Sequence, residues 1–72
     1  MTRQEWLASF AALLGVEPPD EQTVAMLLDL AGVAAHASER TAAPIACWLV
    51  GRAGLDAETA LQRASQVCPP AD

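Results

Sequence analysis

Helix stops set the limits of this fold. Gly15, the Pro18-Pro19 pair, a polar joint at 36–41 and Gly54 interrupt a sequence otherwise rich in alanine and leucine. Proline lacks an amide proton and clashes inside a helix, and glycine is the residue that most easily adopts a left-handed helix cap. The chain can therefore form four helices of a few turns each. It carries no alternating strand pattern and no internal repeat.

The pieces between the stops have helical periodicity. Thr2-Arg3-Gln4-Glu5 fits a capping box, in which Thr2 accepts from the Glu5 amide and Glu5 from the Thr2 amide. The first helix is expected over 3–14, with Trp6, Phe10, Leu13 and Leu14 at helical spacing, Leu7 beside them and Gly15 as its cap. Trp6 and Phe10 are expected in the core. The second helix should start at Pro19 or Asp20, with Asp20 and Glu21 at the positive end of its dipole. It is apolar almost all round, so it should be the central, most buried helix. Asp29, Gly32 and His36 share one of its faces, and Gly32 is expected to allow close approach of another helix. Thr41 reads as the N-cap of a third helix over 42–53, with Pro44 in its first turn and Gly54 as its stop. Ile45, Trp48, Leu49 and Arg52 share one side of it, and Ala46, Val50 and Ala53 another. Asp56 caps a fourth helix with an apolar stripe of Ala57, Ala60, Leu61, Ala64 and Val67. Pro69 and Pro70 should end it at about Cys68 and leave 69–72 as a frayed tail. The expected class is all-α, a small four-helix bundle in one domain over 1–72.

A 72-residue chain has little interior, yet 53% of its residues are apolar. Either alanine, small and helix-forming, accounts for the excess, or a partner or second copy covers apolar surface. The net charge is −5, and the four basic residues Arg3, Arg40, Arg52 and Arg63 are scattered. That balance disfavours nucleic acid and anionic membranes as partners. No apolar run reaches the length of a membrane span. The start carries the acidic Glu5 and no unbroken apolar core, unlike a signal peptide. The expectation is a soluble cytoplasmic protein in which Cys47 and Cys68 are free thiols among apolar neighbours.

Candidate chemistry is sparse. A cysteine–histidine nucleophile would need Cys47 or Cys68 beside His36, and no local signature places them together. His36 and Glu39 could share a metal edge, but no second histidine exists. No metal, cofactor or catalytic residue is therefore assigned. The small acidic carrier proteins need a serine opening the second helix to hold their prosthetic arm; here that helix opens Pro19-Asp20-Glu21-Gln22. His36, Glu39 and Arg40 remain. They can be caps and a salt link where two helices meet, with Arg40 on the last carbonyls of the second helix. Alternatively they form a polar recognition spot in which Arg40 takes a carboxylate or phosphate.

The joint and its flanks carry a resemblance. Ala35-His36, Arg40, Ala42-Ala43-Pro44-Ile45, Leu49-Val50-Gly51 and Ala53-Gly54 are similar to a family of small actinobacterial helical domains, and Trp6-Leu7 and Leu13-Leu14-Gly15-Val16 fit the same pattern. The chain departs from the family at Thr41, where a proline is frequent, and at Cys47 and Trp48, where small or aliphatic residues are common. Members of that family are found fused to or beside proteins resembling the molybdenum cofactor guanylyltransferase, and near formate dehydrogenase accessory proteins. The resemblance implies a non-catalytic cytoplasmic accessory domain in molybdenum cofactor biosynthesis or molybdoenzyme maturation. Its partner would be a nucleotidyltransferase or a molybdoenzyme-related protein. Two other readings stand beside it: a binder of small anionic ligands through His36 and Arg40, and a self-associating module that forms a homodimer across the second or third helix.

Overall fold

The computed structural model describes residues 1–67. It consists of α1 (Arg3–Leu14), α2 (Glu21–Ala37), α3 (Ala42–Ala53) and α4 (Ala57–Ala64), with no strand among the described residues. Cys68 and the tail at 69–72, where the last helix was expected to end and fray, lie outside the described residues. α4 stops earlier, at Ala64. The Ser65 hydroxyl turns back to the Leu61 carbonyl at 3.0 Å, and the amides of Gln66 and Val67 bond only three residues back.

Three of the four helix starts are capped by side chains. Thr2 Oγ1 accepts from the Glu5 amide at 3.1 Å, and Glu5 Oε1 accepts from the Thr2 amide at 3.0 Å, closing the capping box. Asp20 Oδ1 accepts from the Thr23 amide at 2.7 Å, and Asp56 Oδ1 from the Thr59 amide at 2.8 Å. Thr41 differs from expectation: its backbone is already helical, so its hydroxyl misses the α3 amides and donates to Glu39 Oε2 at 3.4 Å. The amides of Ala42 and Ala43 bond instead to the carbonyls of Glu39 and Arg40. At the other ends, Gly15 and Gly54 take left-handed φ values of 75° and 70° and close α1 and α3.

The capping bonds have a pH consequence. Amide donors hold the Glu5, Asp20 and Asp56 carboxyls below their ordinary values of 4.5 and 3.8, chiefly through the backbones of Thr2, Thr23 and Thr59. A group depressed in the folded state adds stability above its unfolded pKa and loses it as pH falls through the folded one. The melting temperature should therefore be flat above about pH 5 and fall in more acid solution. Asp20→Asn still caps but cannot titrate, so its acid limb should be shallower in circular dichroism melts. A limb as steep as the wild type would remove Asp20 from this account.

α2 is the axis of the structure, and α3 and α4 both pack along it. α1 packs only lightly on the other helices, with the Gln4 amide donating to Glu21 Oε1 at 3.4 Å. The buried residues are Ala11, Leu30, Ala57 and Ala60 among those described. Trp6 and Phe10 are therefore not core residues, contrary to expectation: they are 53% and 44% exposed and pack on each other, ring centroids 5.1 Å apart. The reason is geometric. Leu7 and Ala11 turn the inner edge of α1 toward the chain, and Trp6, Phe10 and Leu13 fall on a different side of the same helix. The radius of gyration, 13.2 Å, exceeds the ~11 Å of a close-packed domain of this length.

Gly32 also differs from expectation. A Cβ placed there meets nothing within 4 Å, so no helix approaches it. It lies with the exposed Asp29 and His36 on the side of α2 away from Leu30. Gly32→Ala should then raise stability by about 1 kcal/mol, or roughly 4–8 °C in melting temperature. A melt showing loss would mean that a neighbour does occupy that face.

Candidate functional site

The polar joint does not assemble into a site. His36 lies in the last turn of α2, and His36, Glu39 and Arg40 are all exposed. Glu39 accepts the weak Thr41 bond, whereas the side chains of His36 and Arg40 make no hydrogen bond or ion pair among the described residues. Arg40 does not cap α2. Ser38 does so, its amide and hydroxyl bonding to the Ala34 carbonyl at 3.1 and 3.0 Å. Among the described residues no three histidine, cysteine or acidic side chains come together as metal ligands. Cys47, on α3, is a half-buried free thiol.

What the structure builds instead is an apolar groove of ≈ 560 Å³. Leu30, Val33 and Ala37 of α2 line it, with Ala46, Leu49 and Val50 of α3 opposite, and Leu55, Ala60 and Ala64 from the α4 side. Ser38 and Arg63 are the polar residues on its wall. A size of this order and an almost wholly apolar lining suit an apolar ligand or an inserted helix rather than a polar substrate. A second cleft of ≈ 590 Å³ separates α1 from the start of α2, lined among others by Arg3, Leu7, Asp20 and Val24. A third, of ≈ 380 Å³, lies at the start of α3 between Glu39 and Leu49. Neither His36 nor Arg40 lines any of the three.

Leu49 links the groove to a second apolar surface. Ile45, Trp48 and Leu49 are 61%, 62% and 55% exposed on one side of α3, while Ala46 and Val50 turn inward. The Arg52 guanidinium lies 5.9 Å from the Trp48 ring centre, at the reach of a cation–π contact. α1 has the same two-sided character, with Ala11 buried and Trp6, Phe10 and Leu13 exposed. Both helices thus turn smaller residues inward, buried at Ala11 and half-buried at Ala46 and Val50, and expose large ones, which inverts the usual sorting of side chains. The sequence carried this signal: α1 and α3 have apolar residues on two sides where a helix with one buried stripe has them on one.

No helix among the described residues is long and apolar enough to cross a membrane. Neither the comparison with curated proteins nor that with solved structures finds a match. A protein-family model described as a domain of unknown function, DUF6457, matches residues 1–70. With nearly its whole length covered by that model, the chain belongs to the DUF6457 family.

Proposed function

We propose that this chain is a non-catalytic interaction domain that works through apolar contact. One observation carries the reading: alanines fill most of the small core while large apolar residues are left at the surface, Trp6 and Phe10 on α1 and Ile45, Trp48 and Leu49 on α3, the last of which also lines an open groove. Contiguous apolar surface of that kind marks a contact site. The exposed, unassembled state of His36, Glu39 and Arg40 favours this reading over an anionic-ligand pocket at the joint. The setting we propose is the cytoplasm of an actinobacterium, in molybdenum cofactor biosynthesis or molybdoenzyme maturation. It rests on the resemblance of Ala35-His36, Arg40 and Ala42-Ala43-Pro44 alone.

Calorimetric titration tests both parts. The chain is titrated against itself by dilution and against a purified molybdenum cofactor guanylyltransferase. Leu49→Glu should remove whichever association is found, since Leu49 both lines the groove and belongs to the exposed side of α3, and Arg40→Ala should leave it. The reverse pattern would return the function to the polar joint. Binding to itself but not to the guanylyltransferase would keep the interaction reading and discard the molybdenum setting.

A further inference from the structure

We propose that the groove is filled by the outer stripe of α1 from a second copy of this chain, in a reciprocal two-fold dimer. The inference rests on the interaction reading and names its partner.

Area is the first argument. The chain exposes 5755 Å², against roughly 4,200 Å² for a folded monomer of its mass. The excess is about 1,500 Å², and stays near 1,000 Å² even when residues 68–72 are given the full exposure of an unfolded chain. A standard stable interface covers about 800 Å² on each partner, and obligate dimers cover more. The surplus is thus the amount that one well-formed dimer contact removes.

Complementarity is the second. A helix-in-groove contact needs a groove and a helix with large apolar anchors at i, i+4 and i+7. Trp6, Phe10 and Leu13 have that spacing, and Leu13 is 87% exposed, so its own chain covers little of it. The helix that carries them packs only lightly on its own chain. The groove lacks large side chains of its own over much of its wall, where Ala46, Ala60 and Ala64 leave room. One chain therefore holds both halves of the contact, and neither half is satisfied within it. Two-fold symmetry lets each copy give its α1 and receive the other's, which closes the assembly at two and leaves no unpaired groove to propagate.

The third is what the contact would do for the fold. With few residues buried in the monomer, the dimer adds apolar burial to a protomer that folds on its own, and raises its apparent stability by mass action. Net charge of −5 on each copy opposes the approach, so added salt should tighten the dimer.

Light scattering on the full chain over a concentration series tests the proposal, with Leu13→Lys and Leu49→Glu beside the wild type. The wild type should have about twice the 7.5 kDa chain mass. Each variant alone should be monomeric, with its helical circular dichroism retained. Mixed in equal amounts, the two should regain the dimer mass, because one contact is native and the other pairs the introduced lysine with the introduced glutamate. Tryptophan emission, from Trp6 and Trp48 together, should shift to the blue on mixing. A Leu13→Lys chain that dimerises as the wild type does would overturn the proposal while leaving self-association through another apolar face. A wild type that is monomeric throughout the series would also overturn it, and the interaction reading would then stand or fall on the guanylyltransferase titration. Variants that lose their helices are replaced by Leu13→Ser and Leu49→Ser, each of which should weaken the dimer at least tenfold; no weakening counts against the proposal.

Discussion

Leu30→Ala should cost more stability than any other single truncation in this chain. Leu30 is 2% exposed and is the one large side chain among the described residues that is fully buried. It sits midway along α2, the helix on which α3 and α4 both pack, so one side chain ties three helices together. Truncating a buried leucine removes its transfer free energy and leaves a cavity, together about 2–5 kcal/mol. A domain of this length has a total stability of roughly 4–10 kcal/mol, and one that buries so little belongs at the lower end. Half or more of the stability should therefore go, and the urea midpoint of the far-ultraviolet signal should fall by at least that fraction. The measurement is made at two protein concentrations, since association raises apparent stability by mass action. A loss below about 1 kcal/mol would show that the site collapses around the smaller residue, and that the three-helix contact does not hang on Leu30.

Much of the backbone was legible in the sequence because local chemistry decides it. Thr2 and Asp56 cap their helices as expected, Asp20 is the cap of α2 where a dipole complement inside the helix start was expected, and Gly15 and Gly54 take the left-handed turn that only glycine enters cheaply. These are contacts within three or four residues, which spacing alone can specify. The failures occur where tertiary packing decides. Periodicity places Trp6 and Phe10 on one side of α1, but cannot say which of two apolar sides meets the rest of the chain; the smaller one does, through Ala11. Gly32 could serve close packing or nothing, and only the empty space beyond it decides. Thr41 and Arg40 have the chemistry of caps, but the backbone of Thr41 is already helical, and Ser38 takes the place expected of Arg40. The candidate site follows the same rule. Its polar residues stand out in the sequence as rare letters, whereas the groove is made of common alanines and leucines from three helices and has no local signature.

Trp48→Ala separates the two roles that an apolar residue can have here. In the monomer Trp48 is 62% exposed, and its one specific contact is the Arg52 guanidinium at 5.9 Å. Losing an exposed cation–π contact costs about 0.5–1 kcal/mol and losing the covered part of the ring about 1–2 kcal/mol more, so the melting temperature of the monomeric Leu13→Lys background should fall moderately when Trp48→Ala is added, by less than Leu30→Ala lowers it. Association should respond very differently. Trp48 does not line the groove but is next to Leu49, which does, and a tryptophan covered by a partner commonly costs 2 kcal/mol or more on truncation, about a 30-fold loss of affinity. The wild-type dissociation constant, read by sedimentation, should therefore rise by at least that factor in Trp48→Ala, while Arg52→Ala should give a smaller rise of the same sign. The chain has only one other tryptophan, Trp6 on the opposite half of the proposed contact. In Trp48→Ala its emission alone should report how far dissociation has gone. A melting temperature that falls steeply with no change in affinity would make Trp48 a residue of the fold. An exposed ring that nevertheless governs association would instead mark the place where this chain keeps its missing core.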